Sequence, residues 1–275
     1  MDIVIKKDYE QMSRYAAQII ADQVKSKPNC VLGLATGSTP IGTYKELIRM
    51  HKEGLDFSQV KTFNLDEYLG VGMDLEKPYN LDQSYARFMH EEFLQHLNIK
   101  RENIYIPDGR TQEPDKFCMW YEEQIRNAGG IDLQLLGLGG DGHWGFNEPG
   151  SSLGSRTRVQ ALTKQTLDDN YEAFYKKAGI ERSQMPHFAL TMGVGTIREA
   201  KNILMIVNGK KKADIVAQCL EGPITSQITA SAIQLCEGEI TVVLDEEAAS
   251  GLAHADHYRH VEEMKSQLYN QFYMK

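Results

Sequence analysis

Ile131-Asp-Leu-Gln-Leu-Leu-Gly-Leu-Gly-Gly-Asp-Gly-His-Trp-Gly-Phe-Asn-Glu-Pro-Gly150 is the stretch on which the reading of the whole chain turns. Its first part, Ile131 to Leu136, is an apolar run of strand length. The remainder is a loop whose glycines let a ligand approach the backbone. Asp141, His143 and Glu148 meet on that loop. His143 carries the one side chain among them whose unperturbed pKa lies near neutrality, and flanking carboxylates would fix its tautomer and tune its proton affinity. A strand that delivers titratable groups to a glycine-rich loop at its carboxyl end belongs to an open α/β sheet, where ligands bind outside those ends.

Other readings of the same segment are open to test. Gly137, Gly139 and Gly142 spell G-x-G-x-x-G, but a dinucleotide fingerprint must open a helix, which Gly145, Pro149 and Gly150 break. About 20 positions on, where an acidic residue should meet a ribose, the chain reads Ala161-Leu-Thr-Lys164. Carboxylate and imidazole both ligate metals, so Asp141, His143 and Glu148 offer a candidate cation site. No second His or Cys stands near them in sequence, so neither a metal nor a cofactor is expected. A purely structural turn is the remaining reading of this segment taken alone.

Outward from the loop, helical periodicities alternate with short β-rich runs almost from end to end. Strands are expected at Ile3-Val-Ile5, Val31 to Ala35, Lys61 to Leu65, Ile104-Tyr-Ile106, Ile131 to Leu136, Phe188-Ala-Leu190, Asn202 to Val207 and Ile240 to Leu244. Helices are expected from Tyr9 to about Lys25, from Pro40 to about His51, near 81–97 and 114–127, and from Lys210 to Leu220. This alternation predicts an α/β fold, Rossmann-like, with an open, mainly parallel sheet flanked by helices and the active site at the carboxyl ends of the strands. No repeat or low-complexity linker divides the chain, so residues 1–275 read as one domain. The polar stretch from about 164 to 185 is a candidate lid, with a solvated helix as its alternative.

Composition sets the class. The hydrophobic fraction of 41% and charged fraction of 25% are those of an ordinary soluble globule. A net charge of -8 argues against nucleic acid or an anionic membrane as the main partner. The opening Met-Asp-Ile-Val-Ile-Lys-Lys lacks the apolar core of a signal peptide, and no later run suits a membrane helix, so a cytoplasmic location is expected. Cys30, Cys118, Cys219 and Cys236 lack Cys-x-x-Cys spacing, which fits reduced thiols. His254, His257 and His260 could share a helix face as a metal site, or be a solvated face or a subunit contact.

Two further motifs follow strands. In Thr36-Gly-Ser-Thr-Pro40, Pro40 suits a first helical turn, Gly37 allows close approach, and free N–H groups with the Ser38 and Thr39 hydroxyls form an anion site. A simple N-cap is the alternative. In Phe63-Asn-Leu-Asp-Glu-Tyr-Leu-Gly70, neighbouring side chains of an extended segment point to opposite faces. Asp66 and Glu67 therefore cannot share one task.

The ordered set Ala35-Thr-Gly-Ser-Thr-Pro40, Phe63-Asn-Leu-Asp-Glu-Tyr68, Ser84-Tyr85, Gly139-Gly-Asp-Gly-His143 with Phe146-Asn-Glu-Pro149, Ser155-Arg-Thr-Arg158, Ala189-Leu-Thr-Met-Gly-Val-Gly-Thr196 and Glu221-Gly-Pro223 resembles the glucosamine-6-phosphate deaminases of the glucosamine/galactosamine-6-phosphate isomerase family. The resemblance covers nearly the whole chain. It implies a hydrolase-class enzyme of amino-sugar (N-acetylglucosamine) catabolism, needing no cofactor, that couples aldose–ketose isomerisation to loss of ammonia, and it implies a homo-oligomer. By the same resemblance His143 assists ring opening, with Asp141 and Glu148 orienting it, and Asp66 moves the C2 proton. Glu67 is a neighbouring site residue, while Thr36, Gly37, Ser38 and Lys212 hold the phosphate. Rival readings are a 6-phosphogluconolactonase-like hydrolase and a sugar-phosphate sensor without catalysis.

The chain departs from the family pattern at several places. The lid arginine expected after Asp169-Asn170 is absent, the chain reading Tyr171-Glu172-Ala173, so a lid cation is sought among Lys164, Lys176, Lys177 and Arg182. Gln160 stands where regulated members carry a lysine for their allosteric activator. Trp144 and Gly145 replace smaller aliphatic pairs, with a reshaped pocket expected.

Overall fold

The computed structural model describes residues 1–71, 83–176 and 179–272. In chain order its strands are β1 (Asp2–Lys6), β2 (Val31–Leu34), β3 (Lys61–Asn64), β4 (Asp66–Tyr68), β5 (Ile104–Tyr105), β6 (Leu133–Leu136), β7 (Arg158–Ala161), β8 (Phe188–Thr191), β9 (Asn202–Val207) and β10 (Glu239–Asp245). Seven of them form one sheet in the order β1-β10-β9-β6-β2-β3-β5. Every pairing in it is parallel.

Helices cover both faces, which is why the inner strands are apolar along their whole length. Along β9, Ile203, Met205 and Val207 enter one core with helices Pro114–Asn127 and Ala213–Leu220. Leu204 and Ile206 enter the opposite core with helices Tyr9–Ser26 and Ile41–Lys52. The strand periodicity of two divides successive side chains between the two layers.

Strand order fixes where a ligand fits. From β2 the chain winds outward through β3 to β5, then returns to β6 on the other side of β2 and winds the opposite way through β9 and β10. The connections leaving β2 and β6 therefore diverge and leave a crevice between the carboxyl ends of these strands.

A second sheet was not legible in the sequence. Strands β4, β8 and β7 pair antiparallel in that order. Of these, Phe188–Leu190 is the one expected as a strand; Asp66–Tyr68 and Arg158–Ala161 are too short and too polar to show an alternation. Leu65 is the turning point between the sheets, its N–H on the Leu34 carbonyl at 3.2 Å and its own carbonyl taken by Met192 N–H at 2.7 Å.

Against this small sheet packs part of the stretch 164–185, expected as a lid or a solvated helix. Thr163 caps helix Lys164–Asn170, and Tyr175 is buried against the Tyr68 ring. Lys177 and residues 81–82, the first of the helix expected over 81–97, lie outside the described residues, and the described part of that helix runs Tyr85–Glu92. The C-terminal helix runs Ala255–Phe272 and carries His257 and His260, with His254 just before it. No helix among the described residues is long and apolar enough to cross a membrane.

Candidate active site

A cleft at the diverging strand ends is lined by Thr36, Gly37, Ser38, Thr39 and Pro40 after β2, Leu65 and Asp66 after β3, and Gly137, Leu138, Gly139, His143 and Gly145 after β6; Tyr85 and Lys212 complete it. Loops far apart in sequence meet here because parallel strands present all their carboxyl ends on one side.

Asp66 opens β4 and is 5% exposed. No hydrogen-bond donor among the described residues reaches its carboxylate. Burial, reinforced by the neighbouring Glu67 charge, pushes its pKa up to about 8. A carboxylate in that range is a base matched to neutral or mildly alkaline pH. Gly145, at φ 56, allows the approach: a Cβ there would stand 3.1 Å from Asp66 Oδ2 and 2.9 Å from Thr191 Oγ1.

Glu67 does something else. Expected beside the substrate, its carboxylate turns away from the cleft and accepts from Ser84 Oγ at 2.7 Å and from the N–H groups of Tyr68, Tyr85 and Ala86 at 2.9, 3.1 and 2.9 Å. Two of those donors open helix Tyr85–Glu92, where a carboxylate offsets unpaired N–H groups and the helix dipole. Burial raises its pKa and the four donors oppose the rise. These bonds anchor the first turn of the helix that carries Tyr85 to the cleft wall, and Glu67, expected among the binding residues, is not part of the cleft lining.

His143 is fixed by a very short contact of Nδ1 with Asp141 Oδ1. Burial alone would raise the Asp141 pKa, but the bond to His143 and its charge hold it below the usual carboxylate range. Gly139 is required here, since a Cβ would stand 2.6 Å from His143 Cε1 and Nε2. Glu148 is buried, and its oxygens accept from the N–H and Oγ1 of Thr163 at 3.2 and 3.3 Å, which ties this group to the N-cap of helix Lys164–Asn170. Asp141, His143 and Glu148 each offer a ligand atom within 4.8 Å of one another, the one such cluster among the described residues. His254, His257 and His260 form none.

The phosphate residues expected from sequence converge. Pro40 precedes helix Ile41–Lys52 with no side-chain cap, so Ser38 and Thr39 are not N-caps. Gly37 adopts φ 101. Across the cleft, Lys212 ends the turn Lys210–Lys212 and donates to the Leu138 carbonyl at 2.8 Å. The proposed lid cations do not join it: Lys176 pairs with the exposed Glu172 at 2.9 Å, Arg182 pairs with Asp168, and Lys164 is exposed outside the cleft lining.

Three further residues of the pattern take structural places. Trp144, expected to reshape the pocket, is buried in the core instead. Asn147 bonds the carbonyls of Trp144 and Met192, both at 2.8 Å, and accepts from Arg158 at 2.8 Å. Gln160 accepts from Arg158 at 2.8 Å. Neither Tyr85 nor Thr163 is given a role by the sequence, since an isolated Tyr or Thr carries no spacing signal.

Comparison with known proteins matches residues 6–242 to the family described as glucosamine-6-phosphate isomerases/6-phosphogluconolactonase. The chain is 46% identical over 251 residues to a protein named glucosamine-6-phosphate deaminase from Thermoanaerobacter sp. (strain X514), covering 91% of this chain and 94% of that one. It is 45% identical over 269 residues to one of the same name from Cellvibrio japonicus (strain Ueda107), covering 98% of both. Among solved structures, one described as a monomeric glucosamine-6-phosphate deaminase superposes with TM-score 0.84 at 42% identity, covering 91% of this chain and 100% of that one. A 6-phosphogluconolactonase from Trypanosoma brucei, at 21% identity and TM-score 0.69 over 92% of this chain and 98% of that one, shares the fold.

Proposed function

The chain belongs to the glucosamine-6-phosphate isomerase/6-phosphogluconolactonase family, and of the two chemistries in that name we propose the first: conversion of glucosamine 6-phosphate and water into fructose 6-phosphate and ammonium. The observation that carries the choice is Asp66. Lactone hydrolysis needs no base for a carbon-bound proton, whereas isomerisation requires one, and Asp66 is a buried carboxylate with raised pKa on the cleft wall. Relatives at 45–46% identity named glucosamine-6-phosphate deaminase support the same choice.

In this reading the His143 imidazole, oriented by Asp141, moves the proton between the anomeric hydroxyl and the ring oxygen, opening the pyranose. Asp66 then removes the C2 proton while the substrate's own ammonium gives a proton to O1, forming an enolamine, and Asp66 returns its proton to C1. The C2 iminium so formed adds water, the C2–N bond breaks, and ammonia leaves with a proton as the ketone forms. Glu148 stands beside Asp141 and His143, its ligand atom within 4.8 Å of theirs. Lys212 and the N–H groups of the Thr36–Ser38 loop hold the phosphate, since a dianion is best met by a cation and oriented amides. Protein groups perform every proton transfer, so the reaction proceeds without a metal or cofactor; the contacts of His143 with Asp141 and of Glu148 with Thr163 support that reading.

The finer parts of the proposal are a cytoplasmic location, suited to a phosphorylated metabolite, closure of residues 164–185 as a lid, and self-association. Exposed Met264, Leu268, Tyr269 and Phe272 on the C-terminal helix support self-association, and the monomeric relative stands against it. Sedimentation velocity decides that point. The test of the reaction is ammonia release from glucosamine 6-phosphate, run beside galactosamine 6-phosphate and 6-phosphogluconolactone. Lactone turnover without ammonia release would overturn the assignment, and binding without turnover would leave the sensor reading.

A further inference from the structure

Tyr9 is the first residue of helix Tyr9–Ser26, remote in sequence from every site motif, yet its hydroxyl lies behind the phosphate loop. It reaches the carbonyls of Thr39 at 3.0 Å and Ser38 at 3.2 Å and accepts from the N–H of Gly42 at 2.8 Å. A phenol has one proton, so it donates to one of the two carbonyls at a time. The approach depends on Gly42, where a Cβ would stand 2.4 Å from Ser13 Oγ and 2.9 Å from Tyr9 Oη.

On its other flank the loop is tied to the Lys212 turn. Thr39 Oγ1 donates to Asn208 Oδ1 at 2.8 Å. The next residue, Gly209, gives its N–H to both carboxylate oxygens of Asp245 at 3.0 Å, at the head of the Lys210–Lys212 turn. The two halves of the anion site, one after β2 and one after β9, are thus joined through Thr39 and Asn208.

Peptide orientation decides whether such a loop attracts or repels a dianion, because a half-turn of one peptide replaces an N–H with a carbonyl oxygen. The Ser38 and Thr39 carbonyls are engaged on the Tyr9 side, and the N–H groups of Gly37, Ser38 and Thr39 have no acceptor among the described residues. We propose that Tyr9 is a positioning residue of the phosphate site: its hydroxyl holds these carbonyls away from the phosphoryl group and keeps the loop N–H groups turned toward it, while Asn208 sets the spacing to Lys212. This inference rests on the cleft being a sugar-phosphate site.

Tyr9→Phe keeps the ring and removes the hydroxyl. The KM for glucosamine 6-phosphate and the inhibition constant of inorganic phosphate rise together by about three- to tenfold, the scale of one or two neutral hydrogen bonds, while kcat changes by less than about twofold. Asn208→Ala, acting from the opposite flank, shifts both constants the same way and stands in if the first variant folds poorly. Unchanged constants, or a fall in kcat at constant KM, overturn the inference. Calorimetric titration with inorganic phosphate separates it from the reaction assignment. Wild-type protein that binds phosphate but deaminates no amino sugar removes the assignment alone, and equal phosphate affinity in wild type and Tyr9→Phe removes the role of Tyr9 alone.

Discussion

Asp66 and Glu67, adjacent in sequence and both buried, have opposite surroundings: Glu67 accepts from four donors, and Asp66 from none among the described residues. Strand geometry sends them to opposite faces of β4. One anchors a helix, and the other is left poorly solvated and basic.

Asp66→Asn therefore removes turnover by about 100-fold or more, because an amide cannot accept the C2 proton, while a non-reacting substrate analogue still binds. Steady-state kinetics with analogue titration checks this; near-wild-type turnover would exclude Asp66 as the base.

The same substitution raises stability in a pH-dependent way. A carboxylate whose folded pKa is raised to about 8 keeps its proton when folded after the unfolded chain has lost it, so stability drains away as pH rises from about 4 to about 8. Asparagine mimics the protonated form and escapes this penalty. The Tm of Asp66→Asn exceeds that of wild type at pH 8.5, and the difference shrinks toward pH 4. Thermal melts across this range test the sign, and equal melting curves at all pH values contradict it.

Catalysis follows the ionised fraction of that same group. With Asp66 ionising near pH 8, log kcat/KM climbs with pH at a slope near one until about 8 and then levels. Tyr85 shares the cleft wall with Asp66, and Glu67 lies on the other face of β4 and contributes to the raised value through its charge. A profile flat down to pH 6 would remove the raised pKa from the mechanism.

Lys212→Met raises KM by about 10- to 100-fold, since a phosphate deprived of its cation loses a contact of roughly 1.5–3 kcal/mol. Glu172→Arg changes KM by less than about twofold, because Glu172 is exposed and paired with Lys176 rather than turned into the cleft. A strong tightening in Glu172→Arg would show that the lid closes with this position over the phosphate.

Extensive dialysis against a chelator leaves the deaminase rate unchanged, the three-residue cluster at His143 serving proton transfer rather than metal binding. Loss of activity restored by one divalent cation would reverse that reading.

Local sequence determined the main sheet and the chemical kinds at the site. Apolar runs such as Val31–Leu34 and Asn202–Val207 form strands because burial on both faces demands continuous hydrophobicity, and the motifs that follow them fall at the carboxyl ends whatever the strand order. Asp66, Asp141 and His143 were legible as candidates because they stand at strand ends or among glycines, whereas Lys212 was marked only by the family resemblance. Tertiary structure alone decided what each does. That Glu67 faces a helix N-terminus, that Trp144 enters the core, that Arg182 and Lys176 are already paired, and that Tyr9 braces a loop near residue 38 depend on contacts between segments far apart in the chain. Sequence spacing carries no information about such contacts, because hydrogen bonding and desolvation act over a few ångströms in space while the partners lie tens of residues apart along the chain.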